Sequence, residues 1–106
     1  MPFRLLFLPR YERCVKKLGG HQKEIAGLIV TALLDYLELG LPLTGRPHVI
    51  RLNQRSHRLV FKKLRGQIWE AYLEGQVRIL TRLEDGKHYL IFAGNHDQVR
   101  QFLKEN

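Results

Sequence analysis

The stretch IWEAYLEGQVRILTRLEDGKHYLIFA, Ile68 to Ala93, reads as three strands joined by two turns. Ile68–Leu73, Gln76–Leu83 and Lys87–Ala93 are rich in β-branched and aromatic residues, and Glu74-Gly75 and Asp85-Gly86 separate them. Asp-Gly tolerates positive φ at both positions, as a tight hairpin needs, so the stretch predicts an antiparallel meander. Working outward, Asn95 or Asp97 is placed to cap a closing helix whose apolar face is Val99, Phe102 and Leu103. Upstream, Phe3 to Leu8 is a short apolar run between prolines and suits a buried strand. Tyr11, Cys14, Val15 and Leu18 follow at helical spacing up to Gly19-Gly20. A longer stripe through Ile25, Leu28, Ile29, Ala32, Leu33, Tyr36 and Leu37 then ends at Gly40 and Pro42. The predicted class is α+β: an N-terminal strand and a helical hairpin packed on a mainly antiparallel four-stranded sheet, with a C-terminal helix and one sheet face left open. At 106 residues the chain reads as one domain, 1–106.

Between the helices and the meander lies a cationic run. No Asp or Glu occurs from Leu39 to Trp69, a span holding Arg46, Arg51, Arg55, Arg58, Lys62, Lys63 and Arg65 with His48 and His57. Elsewhere 11 basic residues face 10 acidic ones, so most of the net charge of +8 comes from this segment. Such a band is the footprint of a polyanionic partner, because Lys and Arg release condensed counterions from phosphates. His48 to Leu52 reads as extended, Leu41 to Pro47 as a loop, and the path up to Gly66 is left open.

The remaining composition excludes several classes. Hydrophobic residues at 44% and charged ones at 26% are those of a folded domain. One cysteine, Cys14, allows no internal disulfide and reads as a small buried residue. No apolar run is long enough for a bilayer, and Arg4 interrupts the N-terminal one, so a cytoplasmic location is expected. The single serine, Ser56, has no glycine elbow, and HExxH, GxxxxGK[ST] and GxGxxG motifs are missing. Five histidines lack ligand spacing, so neither a metal nor another cofactor is expected.

The element order, Lys63-Leu64-Arg65-Gly66 before an aromatic-led strand at Trp69, Arg78-Ile79-Leu80 in the next strand, and Gly94-Asn95-His96 before a helix together resemble the RelE/ParE superfamily of toxin–antitoxin toxins. The order of elements matches over nearly the whole chain, and the sharper matches lie in its last 45 residues or so. The resemblance to the RelE branch implies a metal-independent endoribonuclease that cuts messenger RNA, usually on the ribosome, and is neutralised by a cognate antitoxin. It places Arg78 on the scissile phosphate, His96 as general acid, and Lys63 and Arg65 in the basic loop that grips RNA. The pattern also departs from RelE. Glu70 and Tyr72 stand where RelE has a pair of strand lysines, and Phe102 stands near its C-terminal tyrosine. A Glu and His pairing is closer to members that use acid–base catalysis.

The residue types suit that chemistry independently. RNA supplies its own nucleophile, the 2′-hydroxyl, so the protein needs a cation for the phosphorane charge, a base and an acid. Arginine's planar fork binds two phosphate oxygens, and histidine titrates near roughly pH 6.5. Glu70 is the candidate base, while Arg51, Arg58, Lys62, Lys63 and Arg65 are the candidate RNA-binding cations. Bland readings compete: Arg78 as a hairpin partner of Glu70 or Glu74, His96 as a helix-start residue, His48, His57 and His88 as exposed polar residues, and Trp69 as core rather than a base-stacking ring. At the level of function two alternatives stand: a ParE-like poison of DNA gyrase, and a non-catalytic RNA-binding module.

Overall fold

In the computed structural model, residues 5–39, 48–52, 54–73 and 77–105 are described. The expected loop at 41–47 and turn at Glu74-Gly75 lie outside them, as does Arg46. The elements run β1 (Leu5–Phe7), α1 (Pro9–Lys16), α2 (Gly20–Leu39), β2 (His48–Leu52), β3 (Arg55–Arg65), β4 (Ile68–Leu73), β5 (Arg78–Glu84), β6 (Lys87–Gly94) and α3 (His96–Glu105). Among the described residues six strands form one sheet in the order β1-β6-β5-β4-β3-β2. β1 is parallel to β6 and every other pair is antiparallel.

The α+β class and element types are those expected, but the sheet has six strands rather than four. The two extra strands are the cationic run itself, folded as a β2–β3 hairpin. Its charges repel one another less in an extended strand, where neighbours alternate between faces. At the β5–β6 turn, Asp85 and Gly86 have φ of 53° and 76°, the paired positive values that Asp-Gly permits.

Cross-strand partners share a face, so the register sorts the sheet into two sides. Leu59, Phe61, Trp69, Ala71, Ile79, Thr81 and Leu90 form one side, packed against Tyr11 of α1 and Ile25, Ile29 and Leu33 of α2. Leu80, Ile68 and Phe92 belong to the other, where Val99 and Phe102 of α3 cover them. Three contacts dock α3. Phe102 stacks on Phe92 with ring centroids 4.6 Å apart, the Arg10 guanidinium lies 4.6 Å from the Phe102 centroid, and Arg65 donates to the Leu103 carbonyl in the helix's last turn. At its start, the Asn95 side chain accepts from the Gln98 backbone N–H, and the Asn95 N–H donates back to the Gln98 side chain, each at 2.8 Å. This reciprocal cap satisfies two helix-end donors. It also explains Gly94, where a Cβ would sit 2.7 Å from Gln98 Oε1 and 3.1 Å from the Phe92 ring.

His88 is buried, not exposed as its sequence context suggested. Its ring lies among Phe61 and Trp69, at 5.3 and 5.8 Å between centroids, with Nδ1 3.0 Å from Thr81 Oγ1. Strand parity carries it to the helix-covered side, where Thr81 provides its polar partner. No helix among the described residues is long and apolar enough to cross a membrane.

Burial pushes the His88 pKa below its ordinary value of 6.5. The unfolded chain therefore binds more protons than the folded one in the mildly acidic range, and stability falls there. Urea unfolding should show this contribution complete above about pH 6.5 and lost progressively as pH falls from there through the lowered folded-state value. His88→Gln, which cannot charge, should flatten that acid-side loss.

Candidate functional site

The side of the sheet that α3 covers is not covered evenly. Beyond the helix, the row Val60, Tyr72, Arg78, Gly94 and the neighbouring row Lys62, Glu70, Leu80, Phe92 run across β3, β4, β5 and β6. Leu80 and Phe92 lie under α3. Lys62, Glu70, Tyr72 and Arg78 form the adjoining polar corner.

Arg78 is held there from two directions. Its Nη1 donates to Glu70 Oε1 at 2.8 Å, and its Cζ lies 4.0 Å from the centroid of the Tyr72 ring. Glu70 is 4% exposed, and the Arg78 side chain 17%, so the pair is largely shielded while the guanidinium keeps some contact with solvent. Lys62 approaches the same ring from β3, its Nζ 5.6 Å from the centroid. The cluster is two cations and one carboxylate around one aromatic ring. Shielding strengthens the Arg78–Glu70 pair relative to an exposed pair such as Arg82–Glu84, 3.5 Å apart and worth about 0–1 kcal/mol. Guanidinium–ring contacts of this kind contribute roughly 0.5–2 kcal/mol.

The expected site residues divide by register. Arg58 and Lys62 are exposed and share the Arg78 face through alternation along β3. Lys63 is exposed and belongs to the Trp69 face. Arg65 is engaged at the end of α3. Arg51 lies in β2 opposite Ser56. His96 is exposed and opens α3, two residues beyond Gly94, the cross-strand partner of Arg78. Trp69 packs with Phe61 on the side covered by α1 and α2, and Phe92 against Phe102 on the side covered by α3. Tyr72 supports Arg78, a role that no motif in the sequence marks. The signal lay in spacing: Glu70 and Tyr72 are two apart and share a face, and hairpin pairing brings Arg78 opposite Tyr72.

Among the described residues no three His, Cys, Asp or Glu side chains gather as a metal site would require. An arginine with one edge on a carboxylate and one face on an aromatic ring suits anion recognition. A guanidinium has five N–H donors, and the contact with Glu70 runs through one nitrogen to one oxygen.

No protein-family model matches the sequence, and no curated protein matches it. In structure, the chain is similar to a chain of the RelB–RelE antitoxin–toxin complex from Methanococcus jannaschii, with a TM-score of 0.56 over 92% of this chain and 96% of that one, at 10% sequence identity. At that identity the likeness is one of fold, and the architecture of this chain is RelE-like.

Proposed function

We propose that the chain is the toxin of a toxin–antitoxin pair, an endoribonuclease that cleaves messenger RNA, at the ribosome, without a metal. The observation that carries this reading is the held guanidinium of Arg78 at the corner of a cationic sheet face, with exposed Arg58 and Lys62 beside it. The RelE-like fold supports it, since the similar structure is an antitoxin–toxin complex. In this reading the RNA 2′-hydroxyl oxygen attacks the adjacent phosphorus and the bond to the 5′ oxygen breaks. That leaves a cyclic phosphate and a free 5′-hydroxyl. Arg78 meets the developing charge on the phosphorus oxygens, and His96 gives its proton to the leaving oxygen. The proton of the 2′-hydroxyl passes to a base. The antitoxin is an acidic partner that covers the cationic face, or one whose amphipathic helix covers apolar surface of the toxin.

The geometry dictates which variant tests this. Arg78→Ala strips the partner from a carboxylate that is 4% exposed, and should destabilise the fold by about 3–5 kcal/mol in urea unfolding. Arg78→Lys keeps a cation beside Glu70 but loses the fork, so it separates activity from folding.

Pulse labelling of protein and DNA synthesis after induction in a bacterial host reads the function directly. Protein synthesis should stop first with the native chain, and Arg78→Lys and His96→Ala, at equal expression, should relieve the block at least tenfold. DNA synthesis stopping first, with messenger RNA intact, would move the function to gyrase poisoning. An unaffected host would remove the toxin reading altogether.

A further inference from the structure

We propose that Tyr72 and Glu70 are positioning residues for Arg78, and that Glu70 is not the base that takes the 2′-hydroxyl proton. This rests on the ribonuclease reading above for its reaction, but not for its geometry. Three observations carry it. Glu70 Oε1 accepts from Arg78 Nη1 at 2.8 Å, which ties that oxygen to the guanidinium edge. The centroid of the Tyr72 ring lies 4.0 Å from Arg78 Cζ, and Tyr72 is directly opposite Arg78 in the register, so the ring supports the guanidinium. Glu70 is also 4% exposed, which leaves little surface for a substrate hydroxyl to reach.

An arginine side chain has several rotatable bonds, and a phosphate-binding fork loses affinity if it must be ordered at each encounter. One edge tied to a carboxylate and one face laid on a ring remove that freedom beforehand. The monodentate contact uses one nitrogen and keeps the rest of the fork's donors for a phosphate. Lys62, 5.6 Å from the same ring and opposite Glu70 in the register, adds a second cation on the same side. It offsets the Glu70 charge and keeps the corner net positive. With Glu70 so engaged, the 2′-hydroxyl proton goes to solvent water.

The test has two arms on purified full-length chain. One is single-turnover cleavage of a single-stranded RNA oligonucleotide from about pH 5 to about pH 9. The other is equilibrium affinity for the same oligonucleotide made uncleavable by 2′-deoxy substitution. Tyr72→Leu should lower both rate and affinity by about tenfold, and Tyr72→Phe, which keeps the ring, should restore most of both. Glu70→Gln keeps an acceptor for Nη1 and should lower the rate by no more than about tenfold with an unchanged pH profile. Two results overturn the proposal. One is Tyr72→Leu equal to the native chain in both arms. The other is Glu70→Gln losing on the order of 10²-fold or more in rate, together with the acid limb, at native affinity, which makes Glu70 the base. Should the native chain bind but not cleave, the ribonuclease reading falls while the positioning claim is decided by affinity alone. Equal losses in Tyr72→Leu and Arg78→Lys then uphold it, and native affinity in Tyr72→Leu overturns it.

Discussion

A sheet with apolar residues on both sides must be covered on both sides, and the helices available here are unequal to that task. α2 has 20 residues and α3 has 10. The long helix, with α1, closes one side over Ile79, Leu90 and Ala71, while α3 reaches only as far as Leu80, Ile68 and Phe92 on the other. Exposed apolar area would have to be hidden some other way, since hydrophobic surface left in water forfeits roughly 25 cal/mol per Å². At the corner α3 does not reach, the chain carries polar groups instead. Glu70, Arg78, Tyr72 and Lys62 satisfy one another there.

That substitution has consequences for both stability and chemistry. A shielded carboxylate and guanidinium contribute little net stability once desolvation is counted, yet separating them is severe. The pair therefore acts as a constraint on geometry more than as a source of folding energy. It holds the guanidinium against Glu70 and the Tyr72 ring, on a strand residue paired with Gly94, two residues before His96 opens α3. A rigid sheet is a better platform for such a group than a loop, because its position is determined by backbone hydrogen bonds on either side.

The cationic run divides in a way composition does not reveal. Once folded as a hairpin, its charges alternate between faces, so Arg58 and Lys62 join Arg78 while Lys63 faces the other way. Arg65 also carries a structural contact, since it holds the end of α3 through the Leu103 carbonyl. A count of basic residues overstates the number gathered on one face of the sheet, because strand parity, not sequence adjacency, decides which lie together.

Local rules were enough for the helices, the Asp85-Gly86 turn and the α+β class, and they narrowed the cap of the last helix to Asn95 or Asp97, because each depends on residues within one or two turns of one another. Arg78, Glu70 and His96 were also legible as candidates, by residue type and by resemblance. Tertiary structure alone decided the register between β4 and β5, and with it whether Glu70 meets Arg78 or turns away, since a slip of one residue exchanges the two faces of a strand. It likewise decided that Arg55 to Arg65 forms a strand paired with the extended His48–Leu52, that His88 is buried beside Thr81, and that Tyr72 supports a cation. These are long-range facts: each depends on which strand lies alongside, and nothing in a strand's own residues specifies its neighbour.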